Sequence, residues 1–122
     1  MNKYQALYKF FNSFGIPFYL DTNVPNQKEI SYPYGTYQSV NGMWTDIVSI
    51  TVRLYYRTSS EVEINKMVES IAYKINGGHY VVCDEGAMFI SAGTPFCQAV
   101  IDDTDTMIKS RYINMNIEYL TR

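Results

Sequence analysis

The side chains best suited to chemistry are His79, Cys83, Asp84 and Cys97, followed by Asp102, Asp103 and Asp105. A general base or a metal site pairs histidine with a carboxylate or thiol. His79 is the sole histidine and follows Gly77-Gly78, where a turn would leave it at the surface. Cys83 and Asp84 are adjacent, so on a strand their side chains point to opposite faces. Cys83 and Cys97 match no zinc spacing, and a nucleophilic thiol would need His79 beside it in space. Both cysteines are expected as buried free thiols. The three aspartates lack the glycine and terminal glutamate of a calcium loop and read as a solvated turn. No GxGxxG, Walker-type loop, GxSxG or HExxH occurs. Gly77-Gly78 follows a helical pattern instead of preceding one, so it stops a helix and does not cradle a phosphate. These residues argue against an enzyme, and no cofactor or metal is expected.

The chain that must position them has 122 residues, 47% hydrophobic and 18% charged, which fits one globular domain over residues 1–122. Its net charge is -2 and its basic residues are scattered, which gives no footing for sequence-specific nucleic-acid binding. No secretory signal is read at the start, and no apolar run reaches the length of a membrane span. Folding in a cytosol is the expectation.

Residues 2–14 predict a helix, with Tyr4, Leu7, Tyr8, Phe11 and Phe14 as its core stripe and Gly15 and Pro17 to end it. Residues 16–20 predict a short strand, and 21–29 a polar loop around Pro25. Residues 31–40 look extended, with Pro33 and Gly35 suggesting an edge strand or a bulge. Asn41-Gly42 then reads as a tight hairpin turn into the long strand 45–56. That strand alternates Val48, Ile50, Val52, Leu54 and Tyr56 with Ile47, Ser49, Thr51, Arg53 and Tyr55, which marks a half-buried strand. A helix over 60–75 follows, with a Ser60/Glu63 capping box and a stripe of Ile64, Met67, Val68, Ile71, Ala72 and Ile75. Strands are predicted at 80–84, 88–92, 96–101 and 107–120. In the last, Ile113, Met115, Ile117 and Tyr119 alternate with Asn114, Asn116 and Glu118. The fold class is α+β, a mostly antiparallel sheet with two helices packed on one face.

Twelve tyrosines, six phenylalanines and one tryptophan are more aromatics than a core of this size needs. Tyrosine combines contact area with a polar tip and suits partly wet interfaces. The candidate interface anchors are Tyr32, Tyr34, Tyr37 and Trp44.

The order of elements carries a resemblance. A short helix precedes the Pro25 loop and the extended SYPYGTYQ segment. The strand TDIVSITVRLYYRTSS runs through Thr58-Ser59-Ser60 into EVEINKMVESIAYKI, and RYINMNIEYL closes the chain. This arrangement resembles the tail-terminator (tail-completion) and neck proteins of long-tailed bacteriophages. The resemblance implies no catalytic residues. It implies a homo-oligomeric ring, commonly of six subunits, that caps the tail tube and joins it to the head connector. The partners would be the tail tube protein and head connector proteins, and the location the neck of a virion assembled in a bacterial cytoplasm. Such rings close through head-to-tail contacts. The sheet face opposite the helices, or the edge of the 31–40 strand, would meet the neighbour, and loop 21–29 would face the lumen or tube. The rival expectations are a head-closure or other head–tail joining protein, a small-ligand-binding α+β domain, and a regulator that binds through a strand edge.

Overall fold

The structure is a computed structural model that describes residues 1–101 and 104–122. Among the described residues it contains α1 (Lys3–Asn12), β1 (Phe18–Leu20), β2 (Tyr34–Tyr37), β3 (Ile47–Arg57), α2 (Val62–Ile75), β4 (His79–Cys83), β5 (Gly86–Ile101) and β6 (Ile108–Thr121). The strands form one curled sheet in the order β1-β2-β3-β6-β5-β4. Only β1 and β2 run parallel, so the class is α+β with a mostly antiparallel sheet.

The alternation in β3 and β6 is realised. Val52 lies opposite Ile113 and Ile50 opposite Met115, and all four are buried. Met88 and Ile90 of β5 and Phe18 of β1 join them, with Leu7, Phe10 and Phe11 of α1 and Ile64, Ile71 and Ile75 of α2. Each such side chain contributes about 1.5–3 kcal/mol by leaving water.

α1 begins with a capping box that the sequence reading missed. The Asn2 side chain accepts the Gln5 N–H at 2.9 Å, and the Asn2 N–H is donated to Gln5 Oε1 at 3.0 Å. Its buried stripe is Ala6, Leu7, Phe10 and Phe11: Leu7 and Phe11 are as expected, but Tyr4 and Tyr8 are exposed and Ala6 and Phe10 take their place. The helix bridges both ends of the sheet. Asn12 bonds both the N–H (3.0 Å) and the C=O (3.3 Å) of Phe18 in β1. Phe10 packs edge-on against His79 of β4, Asp84 donates its N–H to the Met1 carbonyl, and Lys3 donates its N–H to Glu85.

Several expectations are corrected. The Ser60/Glu63 capping box does not form. α2 starts at Val62 with Glu61 as N-cap, and Ser60 Oγ accepts the Val62 N–H instead of the Glu63 N–H. Glu61 instead reaches the buried Arg111, Oε1 to Nη2 at 3.1 Å. The predicted strands 88–92 and 96–101 are one strand, β5, with a register shift between Ala92 and Cys97. The extended 31–40 segment shortens to β2, which is no edge, because β1 lies outside it. Gly35 serves a close approach: a Cβ there would meet the Phe18 ring at 2.3 Å.

Asn41-Gly42 is not a tight hairpin turn. β2 and β3 do pair antiparallel, but Tyr37 lies opposite Val52, so residues 38–46 form a wide loop. Gly42 is needed for contact: a Cβ would lie 2.2 Å from the Tyr119 ring, and the Gly42 carbonyl accepts the buried Lys3 ammonium at 2.9 Å. The left-handed residues are Trp44 (φ 56°) and Thr45 (φ 71°). Their N–H groups are donated to the carbonyls of Thr121 and Tyr119, each at 2.8 Å, which holds this loop on the end of β6.

Candidate interaction surface

The groups that could do chemistry do not converge. His79 is half-buried against Phe10, and burial, then Lys74, lowers its pKa. Cys83 lies on the same face of β4 but four residues along, about 13 Å at 3.3 Å per residue. Both thiols are free and half-buried, not buried as expected. Burial raises the Cys97 pKa, with Arg111 opposing, which makes it a poor nucleophile. Asp84 sits in an exposed ion pair with the Met1 amino group at 3.2 Å. Asp105 accepts from Arg57 Nε at 3.2 Å and from the Met107 N–H at 2.9 Å. Asp102 and Asp103, the rest of the expected acidic turn, lie outside the described residues. Among the described residues no three His, Cys, Asp or Glu side chains gather into a metal site.

The four expected anchors separate. Tyr37 is 3% exposed and stacks on Phe11 with ring centroids 4.5 Å apart, so it is a core residue and not a surface anchor. The reason is register: opposite Val52, its side chain falls on the core face. Tyr32 and Tyr34 do lie together, at 5.4 Å, and Tyr34 stacks on Tyr55 at 4.8 Å. Burial, then Tyr32 and Tyr55, raises the Tyr34 pKa to about 12, so the phenol stays neutral across the physiological range. Trp44 stands apart on the 38–46 loop and is 68% exposed.

The sheet face that alternates with the core carries three zones. At one end is an aromatic ladder of Tyr19, Tyr32, Tyr34 and Tyr55, joined by Arg53 over the Tyr112 ring at 4.6 Å. The middle is polar: Ser49 lies opposite Asn116 and Thr51 opposite Asn114, with Ser49 Oγ bonded to Asn116 at 2.9 Å. The other end is apolar. Tyr80 lies opposite Phe89, Phe89 opposite Glu118, and Glu118 opposite Ile47; Val82, Ala87 and Leu120 form the next row. Val82 is 75% and Ile47 68% exposed, and Trp44 follows Gly42-Met43 at the same end of β6. Exposed Ile47, Tyr80, Val82 and Leu120 clustered around half-buried Phe89 and Ala87, with Glu118 as the one charge among them, are unusual for a solvated surface and mark a candidate contact site.

Sequence reasoning missed Tyr80, Val82, Phe89, Leu120 and two of the ring partners of Tyr34, Tyr19 and Tyr55. In HYVVC both alternating sets are apolar, which reads as a strand buried on both sides. The signal that could have found the patch is that Phe89 and Leu120 alternate with the core residues Met88, Ile90 and Tyr119 on their own strands. Compared with known protein families, curated proteins and solved structures, the chain finds no match in any of the three.

A second concavity lies between α1 and β1. A groove of about 430 Å³ is lined by Met1, Tyr4, Gln5, Tyr8, Leu20 and Tyr37, with Tyr8 and Leu20 shared by an adjoining groove beside Asn23–Glu29. Its lining offers aromatic surface but few polar groups to orient a small molecule.

Proposed function

We propose that this protein is a structural, non-enzymatic assembly subunit of a tailed phage or prophage. It acts as a tail terminator: a homo-oligomeric ring that caps the tail tube and joins it to the head connector. The reading takes both helices to cover one face of the sheet and leaves the opposite face for neighbours. The observation that carries it is the apolar end of that face, where Ile47, Tyr80, Val82, Leu120 and Trp44 are exposed beside a polar belt and an aromatic ladder. An apolar patch that borders polar and aromatic surface has the composition of a protein interface. The order of elements resembles the terminator and neck proteins, and the chemistry-bearing residues do not converge, so recognition outweighs catalysis. Loop 21–29 faces the ring lumen or tube in this reading. A head-closure or other joining protein uses the same physics and is the alternative within the class.

The test has two steps. Light scattering across a concentration series gives a discrete ring-sized species, and Ile47→Lys with Val82→Lys removes it while circular dichroism stays unchanged. Added to tail tubes assembled without a terminator, the protein binds the tube end and stops elongation. A species indifferent to both lysines, or tubes that neither bind nor stop, refutes the reading.

The groove between α1 and β1 favours one other reading, a binder of small aromatic or apolar ligands. Ligand-dependent change in Tyr4 and Tyr8 resonances, absent in Leu20→Lys, would distinguish it.

A further inference from the structure

An open strand edge is a row of unpaired N–H and C=O groups, and proteins either cover such edges or use them. This sheet treats its edges unequally. On β1, Asn12 caps both backbone groups of Phe18, and the Leu20 carbonyl accepts the Asn23 N–H at 2.9 Å. Along β4 lies α1, through Phe10 on His79, Met1 on Asp84 and Lys3 on Glu85. β4 pairs only as far as Ile90 of β5, so the remainder of β5 has β6 on one side and no strand on the other. The register shift and Pro95 blunt the start of that stretch. Residues 96–101 then run Phe-Cys-Gln-Ala-Val-Ile with no charge and no proline. Among the described residues, no side chain or loop backbone bonds to their outward groups, and Ile101 is 85% exposed. Edge lysines and prolines, the common guards, are missing from the segment itself.

We infer that residues 96–101 of β5 pair antiparallel with the same residues of a second copy, joining two sheets across a two-fold axis. The complement of an open edge is another open edge. The β1 edge is capped and α1 lies along β4, so a second copy offers this same segment as its open edge, and a contact of like with like is isologous. A two-fold axis normal to the sheet keeps each residue opposite one on the same face. Centred on Ala99, it sets Cys97 opposite Ile101 and Gln98 opposite Val100, with the two small Ala99 side chains facing each other. No like charges meet, and Ile101 gains an apolar partner. The pairing uses a strand edge, not the apolar sheet face, so it goes beyond the ring reading and does not depend on it.

The test is hydrogen exchange of the intact protein read alongside light scattering over a concentration series. The expected result is a two-copy species that grows with concentration. Alternate amides within 96–101 then exchange at least about tenfold more slowly as it forms, because they enter a ladder. Gln98→Lys with Val100→Lys sets lysine opposite lysine, so this variant stays monomeric with an unchanged far-ultraviolet spectrum. A monomer at the highest concentration overturns the inference, as does a variant that dimerises like the parent. A larger ring whose 96–101 amides exchange as fast as in dilute protein also overturns it, while leaving the ring reading in place. If the lysine variant fails to fold, the exchange of the parent protein alone decides.

Discussion

Replacing Lys3 by methionine should release the 38–46 loop and lower global stability. Lys3 is buried, and its ammonium donates to the Gly42 carbonyl at 2.9 Å and the Arg122 carbonyl at 3.1 Å, with the Tyr119 ring 5.9 Å away. Methionine keeps the stem and its packing but removes the donors. The Arg122 carbonyl belongs to an exposed residue and can turn to water, so its loss costs little. Gly42 is buried, and its carbonyl keeps only the long 3.5 Å bond from the Thr121 hydroxyl, so losing the ammonium costs part of the about 1–3 kcal/mol of an unsatisfied buried acceptor. Relief from burying an ammonium offsets part of this. The expected net loss is about 1 kcal/mol, and the melting temperature of a chain this size should fall by roughly 3–5 °C. The assay has an internal reporter. Trp44 is the sole tryptophan and stands two residues beyond Gly42, so its fluorescence anisotropy reads the loop directly. Urea unfolding followed by circular dichroism gives the global term, and Trp44 anisotropy in native buffer gives the local one. A variant within 0.5 kcal/mol of the parent, a change typical of an exposed site, and with unchanged anisotropy would refute the idea that Lys3 latches the loop.

Other outcomes follow from the same geometry. Gly42→Ala forces a Cβ to within 2.2 Å of the buried Tyr119 ring and should cost about 1–3 kcal/mol by thermal melting, as overpacking does. Burial, then Tyr8, raises the Tyr37 pKa to about 12. Its folded value lies above the unfolded one, so its contribution is fully present below pH 10 and is lost as pH rises toward 12, by about 2 kcal/mol. Tyr37→Phe should flatten that part of the alkaline stability curve and keep the ring stack on Phe11. Glu61→Ala leaves the buried Arg111 with Asn65 and the Ser110 carbonyl as its remaining partners. It should cost about 1–2 kcal/mol in urea unfolding, more than a fully exposed ion pair is worth.

The parts of the fold legible in the sequence are those with sustained periodicity. β3, β6 and α2 repeat their apolar residues over ten or more positions, as their spans of 11, 14 and 14 residues allow. β1 has three residues and pairs in parallel with partners seventeen positions on (Phe18 with Gly35 is the first pair), and nothing local encodes such a partner. Asn41-Gly42 has the composition of a tight turn, but Gly42 is glycine because a ring and a lysine lie against it, and both are distant in sequence. Ser60 and Glu63 have the spacing of a capping box, yet Arg111 competes for the helix start through Glu61. Of the four anchor residues, Tyr37 was misread because an aromatic on a short strand shows no face until its register is known. The apolar rows on β4 and β5 stayed hidden for a related reason. A strand with two apolar faces does not say which of them joins the core.

The way α1 ties together β1 and β4 also sets how the chain can fold. Asn12 meets Phe18 a few residues away, but Met1 meets Asp84 and Lys3 meets Arg122, separations of 83 and 119 positions. The end of the first helix can dock early, where Phe11 meets Phe18 and Tyr37, but its start cannot be tied down until the last strand is in place. Folding should run as a single cooperative event governed by long-range closure, in the milliseconds-to-seconds regime of β-rich topologies. On a ribosome, Phe11 can find Phe18 and Tyr37 early, while Phe10 must wait for His79, and Lys3 for the far end of β6.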